Sequence, residues 1–265
     1  MKIGFIGLGN MGGAIIGGII KSGLFAPEDI YGFDKSAEMA ASVRDKYGIN
    51  IGKNNPDVAK KVDVLVLAVK PIFAKEVITE IARDTSEKTL IFSIMAGKTL
   101  EFIEKAFGSN KAKIVRAMPN TPALVGEGCT ALSPNANVSE EETELALKIA
   151  RSFGKASIVP ERLMDAVVAA SGSSPAFVFM FIEALADSVV EAGMPRSQAY
   201  MFAAQTVLGS AKLMLETGRH PADLKDMVCS PGGTTIEGVR VLEEKGFRAA
   251  VIDAAKAVAE KSAKL

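Results

Sequence analysis

The stretch Lys2-Ile3-Gly4-Phe5-Ile6-Gly7-Leu8-Gly9-Asn10-Met11-Gly12 decides the fold. Its first five residues read as a short buried strand, and helix-type sequence follows the glycines at once. Residues 7–12 spell G-x-G-x-x-G between that strand and that helix. Gly7 permits a tight turn, Gly9 leaves no side chain to hold a pyrophosphate off the backbone, and Gly12 lets helix and strand approach. The helix N-terminus then offers free N–H groups and partial positive charge to phosphates. Glycine is common, so the motif alone says little. Its placement between strand and helix marks a dinucleotide site built from Gly7, Leu8, Gly9, Asn10, Met11 and Gly12.

Working outward, Ile15, Ile16, Ile19 and Ile20 form one helical stripe, and Gly13, Gly17 and Gly18 in the same helix point to close packing. Gly23 suits the helix C-terminus. Asp29 to Phe33 reads as a second strand ending at Asp34, about 20 residues past the glycines, where an acid can hold a ribose 2′-hydroxyl. Asp34 favours NAD, whereas Lys35 and Ser36 offer a cation and a hydroxyl to a 2′-phosphate. These residues leave the cofactor as NADPH or NADH.

Helices are expected over Met39–Tyr47, from Asn54-Asn55-Pro56-Asp57, and over Ile72–Arg83, with Pro71 opening the last. Val62 to Val69 is nearly all apolar, as in a strand buried on both faces. It ends at Lys70, on the sheet edge where doubly wound folds bind ligands. Strands are expected at Leu90–Met95, Lys113–Ala117, Thr130–Leu132 and Lys155–Val159. Helices fill Leu100–Phe107 and the stretch to Ser152, which opens with a Ser139/Glu142 capping box. Met118-Pro119-Asn120-Thr121-Pro122 makes a stiff loop. The alternation defines a doubly wound, mostly parallel α/β Rossmann domain over residues 1–160.

From Glu161 the alternation stops, and residues 161–265 read as an all-helical domain. Ser171-Gly172-Ser173-Ser174-Pro175 is expected to interrupt its first helix, and Gly193-Met194-Pro195 to separate two more. Ser230-Pro231-Gly232-Gly233-Thr234-Thr235 opens a later helix with two glycines, three hydroxyls and no acid, a nest suited to a carboxylate. Phe177, Phe179, Met180, Phe181, Leu185, Met201 and Phe202 cover more than one helical face, which suggests burial against a second chain.

Composition narrows the function. The chain has 265 residues, 48% of them hydrophobic, and 31 basic residues balance 31 acidic ones. That balance argues against nucleic acid or an anionic membrane as partner. No apolar run is expected to reach the roughly 18 residues of a membrane span, and no leader is expected before the first strand. Cys129 and Cys229 lie far apart and read as two unpaired thiols of a cytoplasmic protein. With His220 the sole histidine, neither a metal site nor a catalytic triad is expected. The chemistry falls to a cofactor.

Five blocks carry a family resemblance: Gly7–Gly12, Ala68-Val69-Lys70-Pro71, Met118–Pro122, Ser171–Ala176 and Ser230–Thr235. In order and spacing they make the chain similar to the pyrroline-5-carboxylate reductases over essentially its whole length. That resemblance implies a helical dimerisation domain and a homo-oligomer, a dimer or a pentamer of dimers. It implies NAD(P)H-dependent reduction of the C=N bond of 1-pyrroline-5-carboxylate to L-proline. By the resemblance, substrate lies between cofactor and helical domain. Ser230, Gly233 and Thr234 hold its carboxylate, with Gly232 in the same binding stretch, and Thr235 is the catalytic residue at the ring nitrogen. Ala68, Val69, Lys70 and Pro71 lie along the cofactor, with Asn120 near its nicotinamide end. Ser174 and Phe177 depart from the family's usual Gly and Tyr and bear on substrate affinity. A related imine or 3-hydroxyacid reductase is the nearest alternative. The hydroxyacid version needs a lysine on the long helix, and Leu163 to Glu191 contains none. A non-catalytic dinucleotide-binding regulator is the alternative of another class.

Overall fold

The computed structural model describes residues 1–264. Among the described residues, eight strands form one sheet: β1 Ile3–Ile6, β2 Ile30–Phe33, β3 Asn50–Ile51, β4 Val64–Leu67, β5 Leu90–Ser93, β6 Lys113–Met118, β7 Gly128–Pro134 and β8 Gly154–Ile158. Their spatial order is β3-β2-β1-β4-β5-β6-β7-β8, so the chain reverses direction across the sheet between β1 and β4. All pairings are parallel except β6 with β7. This is the doubly wound arrangement expected, with ligand space at the carboxyl ends of β1 and β4. The two-residue β3 had no signal in the sequence, being too short to show a period.

Between the strands run α1 Asn10–Lys21, α2 Ala37–Tyr47, α3 Asn55–Ala59, α4 Ala74–Ile81, α5 Leu100–Phe107 and α6 Glu140–Arg151. Successive strand residues face opposite sides, so one sheet feeds two cores. On one side Ile3, Phe5, Val66 and Phe92 pack with Ile15, Ile16 and Ile19 of α1 and with α6. On the other Ile6, Leu65, Leu67 and Ile91 pack with Val58, Val77, Ile78 and Ile103. The glycines of α1 serve this packing: a Cβ on Gly18 would lie 2.8 Å from Phe153 Cβ, and one on Gly17 would lie 2.9 Å from the Tyr47 hydroxyl. The Ser139/Glu142 capping box is formed.

The helical part comprises α7 Met164–Val167, α8 Ser174–Glu191, α9 Arg196–Thr217, α10 Pro221–Val228, α11 Thr234–Glu244 and α12 Phe247–Ser262. Ser171–Pro175 does not break its helix, contrary to the expectation from its Gly and Pro. Val168–Ser173 is a π-helical turn leading straight into α8. A π-turn shifts the hydrogen-bond register by one residue, so the proline's missing N–H is absorbed instead of ending the helix. The resulting run Glu161–Glu191 is, by length and composition, long and apolar enough to cross a membrane. That corrects the expectation that no stretch reaches such a length. Scanning for uninterrupted apolar residues overlooks a run in which small residues and serines separate the large side chains.

The described chain forms two compact units, Met1–Ser173 with the residues from Val258, and Ser174–Ala257. The end of strand–helix alternation at residue 160 is a different division of the chain. Within the first unit, Asn120 Nδ2 donates to Ser171 O at 3.0 Å. Also within that unit, Ser262 Oγ donates to Asp165 Oδ1 at 2.7 Å, which joins the end of α12 to α7. In the second unit only Ala186, Ala199 and Ala203 form a fully buried cluster, between α8 and α9. Phe179, Met180, Met201 and Leu215 are all more than half exposed. So small a core leaves most of the unit's apolar surface without an internal partner.

Candidate active site

The glycine loop closes tightly at two points and stays open at one. Gly7 has φ +96°, and a Cβ there would lie 2.6 Å from Ala68 O. A Cβ on Gly12 would lie 2.6 Å from Gly7 O. Around Gly9 nothing lies within 4 Å of the corresponding position. The loop therefore has a clear face above Gly9, at the start of a helix that no side chain caps. Free N–H groups at a 12-residue helix and an unobstructed approach fit a dinucleotide's pyrophosphate.

A cleft of about 260 Å³ at the carboxyl ends of β1, β2 and β4 gathers half of the expected cofactor residues. Gly7, Gly9, Asp34, Lys35, Ala68, Val69 and Lys70 line it. Phe73 and Val77 line it too, on a helical face the sequence did not single out although their i,i+4 spacing after Pro71 placed them together. Pro71 begins the short 3₁₀ turn to Phe73 that opens beside the cleft. A larger groove, about 750 Å³, runs along the outer side of α1 from Gly9 to Tyr47 and Glu127. The smaller cleft is the better ligand site, because it holds the loop, the strand ends and the charged groups together.

Asp34 is firmly held. Its Oδ2 accepts from the Leu8 N–H at 2.8 Å and its Oδ1 from the Ser36 N–H at 2.9 Å. Lys35 Nζ lies 3.0 Å from Glu76 Oε1 and 5.5 Å from the Phe73 ring centre. Ser36 stands outside the cleft, its hydroxyl accepting from the Met39 N–H at the start of α2. Leu8 offers only its backbone, since its side chain is buried in the core. Asn120 is likewise buried with both ends of its amide engaged. Oδ1 accepts from the Cys129 N–H at 2.8 Å, and Nδ2 reaches Ser171 O. It fixes the 118–122 loop between β7 and the π-turn.

The second unit carries the other expected site residues. Cys229 ends α10, and Gly233 precedes α11, with its N–H donating to Ser230 O at 3.0 Å. Gly232 takes φ +67°, a conformation open to glycine. Thr234 and Thr235 form the exposed first turn of the 11-residue α11, and no side chain caps it. Glu237, the acid of that turn, is matched by Arg240, whose Nη2 and Nε reach its carboxylate at 2.5 and 3.1 Å. The bond from Arg240 holds the Glu237 carboxyl below its usual value. Arg240 also pairs with Glu244, and the turn leaves helix-terminal N–H groups and two hydroxyls exposed. The sole histidine, His220, serves its own helix, its Nδ1 accepting from the Ala222 N–H at the start of α10.

A Rossmann sheet with an open glycine loop, followed by a set of helices, is the build of a dinucleotide-dependent oxidoreductase. Comparison with known proteins narrows the class. Residues 161–265 match the family model for pyrroline-5-carboxylate reductase dimerisation, and residues 2–97 match that for coenzyme F420-dependent NADP oxidoreductase. A pyrroline-5-carboxylate reductase of Escherichia coli is 55% identical over 264 residues, spanning 100% of this chain and 98% of that one. Among solved structures, the Coxiella burnetii pyrroline-5-carboxylate reductase superposes with a TM-score of 0.93 at 37% identity, covering 99% of this chain and 97% of that one. The Plasmodium falciparum pyrroline carboxylate reductase with NADP bound gives 0.90 at 33% identity, over 100% and 97%. The chain belongs to the pyrroline-5-carboxylate reductase family.

Proposed function

We infer that the protein catalyses NAD(P)H-dependent reduction of the C=N bond of 1-pyrroline-5-carboxylate, giving L-proline in the last step of proline biosynthesis. The observation that carries this reading is full-length identity of 55% to an E. coli enzyme of that name. The second unit's Ser230–Thr235 turn supports it, since the substrate is a small carboxylate and the turn offers uncapped N–H groups.

NAD(P)H supplies the hydride when bound. Gly7–Gly12 receives the pyrophosphate, Asp34 and Lys35 face its adenosine end while Ser36 caps α2 beside them, and Ala68, Val69, Lys70 and Pro71 lie along it. Asn120 acts by fixing the loop near the nicotinamide end, because its own amide is already engaged. Ser230, Gly232, Gly233 and Thr234 hold the substrate carboxylate, and the Thr235 hydroxyl orients the ring nitrogen. A protonated imine is electrophilic already, so the protein chiefly supplies geometry. This accounts for a site without a strong acid–base pair. The hydroxyacid alternative loses ground because Leu163–Glu191 has no lysine.

Residues 161–265 form the homo-oligomer interface, a dimer or a pentamer of dimers. A second copy, and not lipid, covers the apolar Glu161–Glu191 run. The protein is cytoplasmic and binds neither membrane nor nucleic acid, in keeping with its balanced charge and its free Cys129 and Cys229.

The test is nicotinamide absorbance on mixing purified protein with 1-pyrroline-5-carboxylate and NADPH or NADH, with proline measured as product. Oxidation of either nucleotide with matching proline is expected. Binding of both nucleotides without proline would transfer the reading to another imine or to a regulator.

A further inference from the structure

We propose that this chain selects the dinucleotide lacking a 2′-phosphate, NADH, over NADPH, and that the fixed carboxylate of Asp34 sets the choice. The inference rests on the reading of Gly7–Gly12 as the dinucleotide loop and goes beyond it to the ribose. The Asp-Lys-Ser sequence at the end of β2 left two options open, an acid for ribose hydroxyls or a cation and hydroxyl for a phosphate. The arrangement of the three side chains separates them.

Asp34 is anchored through both oxygens, to the Leu8 N–H at 2.8 Å and the Ser36 N–H at 2.9 Å. A carboxylate held that way cannot swing out to make room. Each oxygen keeps a further lone pair, which can accept from a ribose hydroxyl. A 2′-phosphate would bring a second anion to the same wall of the cleft, and like charges at such distances repel strongly.

The groups that would offset this repulsion are otherwise engaged. Lys35 reaches Glu76 at 3.0 Å and lies over the Phe73 ring. The pair is exposed and hence weak, yet Glu76 places another negative charge beside the lysine. Arg44 lines a neighbouring cleft with Asp34 and Lys35, and its Nη2 lies 2.8 Å from Asp45 Oδ1. The Ser36 hydroxyl is turned to α2, accepting from the Met39 N–H. Lys70, the other cation lining the cleft with Asp34, stands at the end of β4, and β1 separates that strand from β2.

Equilibrium titration with NADH and with NADPH, followed by nicotinamide fluorescence, tests this without turnover. The kcat/KM ratio is measured in parallel. NADPH is expected to bind at least about tenfold more weakly than NADH, the scale of one like-charge contact. Asp34→Asn keeps an oxygen to accept from Leu8 and removes the charge; it should narrow the ratio about tenfold. Glu76→Gln lies outside the Asp34 anchor and should shift the ratio in the same direction by less. Wild-type preference for NADPH, or ratios unchanged in both variants, overturns the proposal. Failure to bind either nucleotide overturns the loop reading and the proposal with it.

Discussion

Gly12 is pressed against the backbone of Gly7, so that any Cβ on Gly12 would lie 2.6 Å from the Gly7 carbonyl oxygen. The corresponding position on Gly9 is free of neighbours within 4 Å. One motif therefore contains a glycine that the fold requires and a glycine beside which the fold leaves clear space.

This contrast yields the first prediction. Gly9→Val should fold with a Tm close to wild type and lose NAD(P)H binding. Gly12→Val should lose stability as well, because the carbonyl it meets belongs to the β1–α1 turn. Thermal melts and fluorescence titrations of both variants check it. Normal nucleotide binding by Gly9→Val would remove the loop from the cofactor site.

Asn120 joins the 118–122 loop to β7 and to the π-turn. Asn120→Ala leaves the Cys129 N–H and the Ser171 carbonyl without their partner, a loss of about 1–3 kcal/mol. Turnover should fall more than the stability loss alone explains. Denaturant melts beside steady-state kinetics measure the two effects separately, and unchanged kcat would confine Asn120 to the fold.

Thr235→Ala should lower kcat while leaving the Kd for NAD(P)H unchanged, since the hydroxyl lies on α11, away from the glycine loop in the chain. Thr235→Ser should recover much of the rate if a hydroxyl is what the ring nitrogen needs. Wild-type kcat in the alanine variant would take Thr235 out of the mechanism.

Glu161 Oε1 accepts from Arg116 Nη1 at 2.9 Å and from the Leu100 N–H at 2.8 Å. The arginine side chain is only 10% exposed, the glutamate 30%. Glu161→Ala would leave a mostly buried guanidinium without its carboxylate, at a cost of about 1–2 kcal/mol after allowance for the glutamate's solvent contact. A Tm lowered by roughly 3–6 °C is expected; no change would show that water replaces the pair.

Asp57 should make stability depend on pH. The bond from Lys61 Nζ, then that from the Lys53 N–H, lower its pKa below the ordinary 3.8. A carboxyl depressed on folding stabilises the native state fully above its unfolded pKa. That contribution is lost as pH falls through the folded value. Asp57→Asn should therefore cost a few tenths of a kcal/mol at neutral pH and nothing at acid extremes. Melts from pH 7 to below 4 check the convergence.

The Rossmann half was legible because its signals are local. The run Val62–Val69 announces a strand buried on both faces, and Val64–Leu67 is buried throughout. The glycine loop, the Ser139 cap and the helix opening at Thr234 each depend on residues within one turn of chain. Hidden features depended on neighbours far away. Glu76 reads in sequence as one more surface acid and becomes informative only where Lys35 meets it. The π-turn at Val168–Ser173 ran against the local Gly and Pro signals.

Most of the element order, the glycine loop between β1 and α1, and the family are readable along the chain. Periodicity and turn chemistry act over a few residues and are written in the order of the chain. Which of those residues are free to meet a ligand emerged only from folding. Folding anchored Asp34 to Leu8, drew Lys35 to Glu76, engaged both ends of Asn120 and left Gly9 uncovered. Charge balance and clearance belong to groups brought together from distant segments, and no local pattern records them.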